Sequence, residues 1–146
     1  MLTIITALKP PDASAIISPN GWAIFVAAIV IYAIGFVIYG VVFQKIWLQQ
    51  TGYTQEQLKP HMWKMGISWI MPVLTAFGVA WAISLARVDN LAAVLAICAQ
   101  LWIFLILPTR LYSYVYGPER PGHLALDAIH LLLGVLAAGT VIAIWP

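Results

Sequence analysis

Residues Trp22–Phe43 read WAIFVAAIVIYAIGFVIYGVVF, a run of apolar and small residues that contains no charged side chain. A helix needs about 20 predominantly apolar residues to cross the hydrocarbon core of a bilayer. A strand in the same place would leave backbone N–H and C=O groups without partners in lipid. This stretch therefore predicts a transmembrane helix, and it decides the fold class.

Three further stretches have the same character, at about 65–86, 91–112 and 124–145. The chain of 146 residues is 63% hydrophobic and 8% charged, whereas a soluble domain carries about 25% charged residues. Its main partner is therefore expected to be the lipid bilayer. We predict an all-α integral membrane protein, a single domain built as a four-transmembrane-helix bundle with short loops. The N-terminal segment, residues 1–21, does not read as a cleavable signal, because Lys9-Pro10-Pro11-Asp12 interrupts its apolar stretch.

The three connections differ in kind. Gln44–Lys64 is predicted to be a polar loop in which Thr54 caps a short surface helix, with Gln57 three residues on. Arg87–Asn90 is a tight turn, so the second and third helices are predicted to be antiparallel neighbours. Ser113–Gly122 contains two Gly/Pro pairs and is predicted to be a non-helical loop.

Composition excludes several classes of function. The net charge is only +2, and no basic run suggests a nucleic-acid partner. Cys98 is the single cysteine, which excludes an intrachain disulfide and CxxC redox chemistry. We find no nucleophile–base pair, phosphate loop or metal signature, and so predict no cofactor and no metal. These absences favour a non-enzymatic role but leave the question of an enzymatic activity open.

Lysine and arginine counts predict the orientation. The first and third loops with their flanks hold five of the seven basic residues, and the opposite side holds two. The positive-inside rule therefore places those two loops in the cytoplasm and both termini outside it. The five residues are Lys45, Lys59, Lys64, Arg110 and Arg120, and the two are Lys9 and Arg87.

Polar residues within the predicted helices are the candidates for function, because each is costly in lipid and usually has a partner. Asp127 and His130 are three residues apart and therefore share one helix face. Arg110 lies near the end of the preceding helix at a similar depth, which makes an Arg110–Asp127 ion pair geometrically easy. Tyr39 and Ser68 are expected to reach the same layer. We predict that these five side chains form a polar cluster on the cytoplasmic side.

Two interpretations of this cluster stay open. The simpler one is a structural lock, in which one base and one acid hold two helices in register. The other is a site for a substrate, a proton or a ligand, with His130 as a relay or a metal ligand. Three histidines in the whole chain make a three-ligand metal site a weak hypothesis.

Two other features bear on helix packing. Gln100 lies near the middle of the third helix, where a glutamine typically bonds to another helix or to a second copy of the chain. Pro72 is expected to kink the second helix by freeing the carbonyl of Ser68. Small residues offer surfaces for close contacts, within one chain or between copies: Gly35, Gly40, Ala76, Ala80, Ala82, Gly134, Ala137 and Ala138.

The end of the first helix reads IYGVVFQKIW from Ile38 to Trp47, and the fourth contains DAIH at 127–130 and ends near Trp145. This pattern resembles the small bacterial membrane family catalogued as domain of unknown function 1761. Members of that family are similar in length and in four-helix layout. They typically carry an aromatic-tyrosine pair followed by Phe-Gly-Lys-x-Trp, and a late helix with an aspartate.

The resemblance runs from about Trp22 to the C-terminus and implies a bacterial cytoplasmic (inner) membrane. It draws attention to five positions that match the family pattern: Tyr39, Phe43, Lys45, Trp47 and Asp127. The chain departs from the pattern at Ile38, Val41 and Gln44, where the family usually has tryptophan, proline and glycine. The resemblance implies no activity.

Three functions remain open from the sequence. The first is association, as a homo-oligomer or as an accessory or scaffold subunit of a larger membrane complex. The second is a small oligomeric transporter or channel that uses Asp127 and His130. The third is a membrane enzyme of the four-helix glutathione-using type, although the pair Glu119-Arg120 lacks the asparagine that follows it in that class.

Overall fold

A computed structural model describes residues 17–59 and 63–145. Most of the predicted N-terminal segment, including Lys9–Asp12, lies outside the described residues. Within the described ranges the chain is almost entirely helical and contains no strand. Four helices there are long and apolar enough to cross a membrane, at Gly21–Val42, Gly66–Ala86, Leu91–Tyr116 and Pro121–Ile144. The chain is therefore a multi-pass membrane protein, and the predicted all-α four-helix bundle is confirmed.

The first span consists of α1 (Gly21–Gly35) and a π-helical segment (Phe36–Val42). The side chain of Asn20 caps α1 by accepting from the N–H of Ala23 at 2.8 Å. After Phe43 the chain continues directly into helix α2 (Gln44–Thr51). The prediction of a polar loop from Gln44 onwards was therefore wrong over its first eight residues. The error arose because α2 has few apolar residues and so lacks the pattern of a membrane helix.

The second span is interrupted near its start. Helix α3 (Gln55–Leu58) has the predicted capping box between Thr54 and Gln57. Helix α4 (Trp63–Ser68) is separated from α5 (Ile70–Ala86) by Trp69. Pro72 causes this break, because it has no N–H to donate to the carbonyl of Ser68.

The third span comprises α6 (Leu91–Leu101), a π-helical segment (Trp102–Ile106) and α7 (Leu107–Tyr116). It extends four residues beyond the predicted end at 112. The fourth span, α8 (Pro121–Ile144), begins three residues earlier than predicted because Pro121 is accepted at the first helical position. The predicted loop Ser113–Gly122 was therefore too long, and only residues 117–120 connect the two helices.

The fourth span is at the centre of the bundle, since α8 packs against α1, α5 and α6. Small residues on these helices let the backbones approach closely. The third span packs mainly against α8, and only 11% of its most apolar window is buried, compared with 22–28% for the other spans. The principal core residues are Ala23, Ala27, Ala28, Ile31, Ala76, Val79, Ala80, Ile83, Val94, Cys98, Val135, Ala138 and Ile142.

Two contacts fix the third span on the fourth. Gly139 faces Cys98 and Val94 so closely that a methyl group at residue 139 would lie 3.1 Å from Val94 and would overlap the Cys98 sulfur. Nearer the start of α8, the indole Nε1 of Trp102 donates a 3.0 Å hydrogen bond to the carbonyl oxygen of Ala128. Together these contacts set the register that brings Arg110 opposite Asp127.

Candidate functional site

Asp127, in the second turn of α8, is the centre of a polar network inside the bundle. Its Oδ2 lies 2.6 Å from Nη2 of Arg110, on α7, so the predicted ion pair is present. Its Oδ1 accepts a hydrogen bond from the hydroxyl of Tyr39. The Asp127 and Arg110 side chains are 18% and 23% exposed. The network therefore joins the first, third and fourth spans.

Both partners of Asp127 depend on π-helical segments. Tyr39 lies within the segment Phe36–Val42, and Arg110 follows the segment Trp102–Ile106. A π turn contains an extra residue, which rotates the residues after it by about 100° around the helix axis. Such segments are rare and frequently occur at functional sites. These two place the Tyr39 hydroxyl and the Arg110 guanidinium on the Asp127 carboxylate.

Glu119 and His123 extend the network towards the membrane surface. Nη2 of Arg110 also pairs with Oε1 of Glu119. The His123 ring lies between the two acids, with Nδ1 2.7 Å from Glu119 Oε1 and Nε2 3.8 Å from Asp127 Oδ1. The sequence-based cluster did not include Glu119, which fell in the predicted loop Ser113–Gly122, or His123, which directly preceded the predicted start of the fourth helix at residue 124. Glu119 lies eight residues and His123 four residues before Asp127, and this spacing was the signal that they share its face.

His130 forms the inner end of the network. Its Nδ1 is 3.4 Å from the Tyr39 hydroxyl, and the two rings meet edge to face at 5.0 Å. The ring packs against Gly35 of α1, where a methyl group would lie 3.0 Å from Nε2. The network thus runs through five titratable side chains and one arginine from the third loop to His130, with Tyr39 as the bridge.

Ser68 and Gln100, the other polar residues singled out from the sequence, belong to the second and third spans. Ser68 precedes Trp69, whose ring packs at 5.1 Å against Tyr32 rather than against Tyr39. Gln100 is exposed on the outer surface of the third span.

Of the positions matching the family pattern, Trp47 packs its ring at 6.2 Å on Tyr39. Phe43 directly follows the π-helical segment, and Lys45 is exposed.

Glu119, His123 and Asp127 have the composition of a metal site, with one potential ligand atom each and all three atoms within 4.8 Å of one another. However, Nη2 of Arg110 contacts both carboxylates. A metal ion bound by both acids would meet the guanidinium charge at close range and would have to displace it. The guanidinium of Arg110 therefore occupies the position between the two carboxylates that a metal ion would take.

A groove of about 620 Å³ opens beside the network at the surface. It lies between the end of α2 on one side and the turn connecting α7 to α8 on the other. Within the described chain, Nε of Arg110 and Oε2 of Glu119 are buried next to it without a hydrogen-bond partner. The residues that line the groove are Gln50, Thr51, Tyr53, Arg110, Tyr112, Ser113, Tyr116, Gly117, Pro118, Glu119, Arg120 and His123.

A family model described as "Protein of unknown function (DUF1761)" matches residues 22–143. The match covers all four spans except the terminal residues Gly21 and Ile144, and it includes every residue of the network. It agrees with the resemblance carried by the region from Tyr39 to Trp47. No curated protein and no solved structure matches the chain.

Proposed function

Because this chain belongs to the DUF1761 family, whose function is unknown, we propose its function from its own geometry: it acts by association within the membrane. The partner we propose is a second copy of the chain, and the contact surface is the outer face of the third span. In this proposal the Asp127 network holds each protomer together.

The observation that carries the proposal is the position of Gln100. Gln100 is nine residues after Leu91, the first residue of the span, or about 14 Å along a helix, which is near the middle of a hydrocarbon core of about 30 Å. Its side chain is exposed, and its amide has no hydrogen-bond partner among the residues that the structure describes. An unpaired amide costs several kcal/mol in hydrocarbon.

A second copy of the chain would satisfy this amide. A primary amide offers two donors and one acceptor oxygen, so two Gln100 side chains related by a twofold axis are complementary to each other. Ala96, one turn earlier, is also exposed and leaves room for a second helix to approach. The third span is also the least buried of the four.

Native mass spectrometry in nanodiscs tests this proposal. We expect a defined oligomer for the natural chain and about tenfold weaker association for Gln100→Leu, since a hydrogen bond between membrane helices contributes about 1–2 kcal/mol. Thr109→Val is the matched control, because Thr109 is exposed on the same span but already donates to the carbonyl of Leu105 at 2.7 Å.

Three results would each decide the question. A natural chain that is monomeric at every protein-to-lipid ratio would contradict the proposal. So would a Gln100→Leu variant that associates as strongly as the natural chain. A stable complex with a different membrane protein, lost in Gln100→Leu, would replace the second copy with an accessory role.

A second candidate function is transport or proton conduction, which the network from Glu119 to His130 supports. Its side chains lie in a continuous line from the third loop into the bundle. The line ends where His130 packs against Gly35 of α1. If this function were correct, proteoliposomes that contain the natural chain would show proton flux, and proteoliposomes that contain Asp127→Asn would show none. Equal flux for the two proteins would eliminate it.

A further inference from the structure

The groove beside the network has a lining that is rich in hydrogen-bond donors. Oε1 of Glu119 is already engaged by Arg110 and His123, and Oε2 has no accessible surface. The only carboxylate in the lining therefore offers no free acceptor to the groove. The accessible polar groups include the guanidinium of Arg120, the amide of Gln50 and several tyrosine hydroxyls.

Arg120 is the one cation in this groove without a carboxylate partner among the described residues. Nη1 donates to the carbonyl oxygen of Gln49 at 2.6 Å, which ties the side chain to the end of α2. A guanidinium has five N–H donors in a rigid fork, so several remain for a ligand. The residue is exposed, and its orientation is fixed before any ligand arrives.

Two features of the groove fit the headgroup region of a membrane. Tyr112 and Tyr116 form its outer edge at the end of the third span, where they stack at 6.0 Å and are 67% and 82% exposed. Tyrosines are typical of the membrane–water boundary. The groove is also on the side of the bundle that carries Lys45, Lys59 and Lys64, and such basic surfaces attract anionic lipids.

We propose that this groove binds the phosphate of an anionic phospholipid headgroup, with Arg120 as its counter-charge. Arginine suits a phosphate because its fork forms two parallel hydrogen bonds. The tyrosine hydroxyls and the Gln50 amide would donate to the remaining oxygens or to a headgroup hydroxyl. A quaternary ammonium is disfavoured in this position because it would lie against the Arg120 charge.

The test uses nanodiscs containing equal amounts of phosphatidylglycerol and phosphatidylcholine, and counts the lipids that the protein retains in native mass spectrometry. We expect the natural chain to retain more phosphatidylglycerol than phosphatidylcholine. The Arg120→Gln variant should retain about tenfold less phosphatidylglycerol than the natural chain. Lys64→Gln is the matched control, since it removes an exposed positive charge on the same side but outside the groove. It should bind phosphatidylglycerol like the natural chain.

Arg120→Gln also removes the bond to Gln49, so a second variant guards against a change in folding. Tyr112→Phe with Tyr116→Phe removes two exposed hydroxyls and nothing else, and we expect a several-fold loss of retention. Retention equal to that of the natural chain in either variant would overturn the proposal. Release of the lipid by millimolar glycerol 3-phosphate would also overturn it, because the site would then be one for a soluble phosphate.

This inference is independent of the proposed association. Arg120→Gln should leave the oligomeric state unchanged, and Gln100→Leu should leave lipid selectivity unchanged. The same spectra report both quantities, so the failure of one proposal is visible without the failure of the other.

Discussion

Asp127 illustrates how a charged side chain is tolerated inside an apolar span. The cost of taking a carboxylate out of water is offset only when its oxygens are hydrogen-bonded and a counter-charge lies nearby. Here the phenol of Tyr39 and the guanidinium of Arg110 satisfy one oxygen each. Because these partners come from different spans, the same contacts that stabilise the charge also hold the helices together.

Removing the charge should therefore destabilise the fold. We expect Asp127→Asn to lower the free energy of unfolding by about 2–4 kcal/mol, somewhat less than for a fully buried pair because both side chains are partly exposed. Tyr39→Phe should cost about 1–2 kcal/mol for the lost hydrogen bond. Unfolding by a denaturing detergent, followed by circular dichroism, measures both.

The double variant, Asp127→Asn with Tyr39→Phe, tests whether these two side chains stabilise the fold jointly or independently. Because the two side chains share a hydrogen bond, their combined effect should differ from the sum by more than about 0.5 kcal/mol. Asp89→Asn is the control, since Asp89 is exposed and accepts only from Asn90 among the described residues. Additive effects, or an equal loss in the control, would show that Asp127 does not organise the bundle.

Four of the five side chains in the predicted cluster do come together, because helix periodicity and the length of each span fix depth and face. The proximity of Ser68 to the other four stays a prediction. Its depth was estimated for an uninterrupted helix, whereas α4 and α5 are separated at Trp69. Glu119 fell in the predicted loop, and His123 fell just before the predicted helix. Both were left out of the cluster because the length of a loop containing proline is not determined by composition alone: proline at the first turn of α8 starts the helix instead of preventing it.

At the level of elements, the contact between the third and fourth spans depends on the absence of a side chain at residue 139. Apolar packing between helices in lipid gains little from the hydrophobic effect, so close backbone approach carries the stability. The sulfur of Cys98 and the Cγ1 of Val94 fill the space that a β-carbon at residue 139 would occupy.

Gly139→Ala should therefore destabilise the bundle by about 1–3 kcal/mol, because overpacking forces neighbouring helices apart. Gly78→Ala is a matched control within another span: a β-carbon there would meet nothing within 4 Å. It should leave stability unchanged or raise it by up to about 1 kcal/mol through helix propensity. The same unfolding measurement applies, and equal effects at the two glycines would contradict the proposed contact.

The bounds of the spans could be predicted more accurately than their packing. The first span is within one residue of its predicted limits, since a change from apolar to polar sequence marks both ends. Helix α2 was missed, because its mixed composition carries no signal of membrane depth. The outward position of Gln100 was also not predictable, because a helix that faces lipid and one that faces protein are equally apolar.

For the whole molecule, we propose that the first and third loops face the cytoplasm. The structure alters one part of the charge count. Arg110 is paired with Glu119 and Asp127 inside the network, so it contributes little free charge to its side. The remaining bias is four basic residues against two, which still favours the same orientation. An even number of spans then places both ends of the described chain outside the cytoplasm.

Cysteine labelling in intact cells tests this orientation, with Cys98→Ala as the background because Cys98 is the single cysteine and is buried. Glu56→Cys reports the first loop and Asp89→Cys the second, and both positions are exposed. A membrane-impermeant maleimide should label Asp89→Cys directly, and Glu56→Cys only after the membrane is permeabilised. The reverse pattern would invert the topology. It would also place the Arg120 groove in the outer leaflet, where fewer anionic lipids are available to it, so the lipid-binding proposal would lose one of its supports.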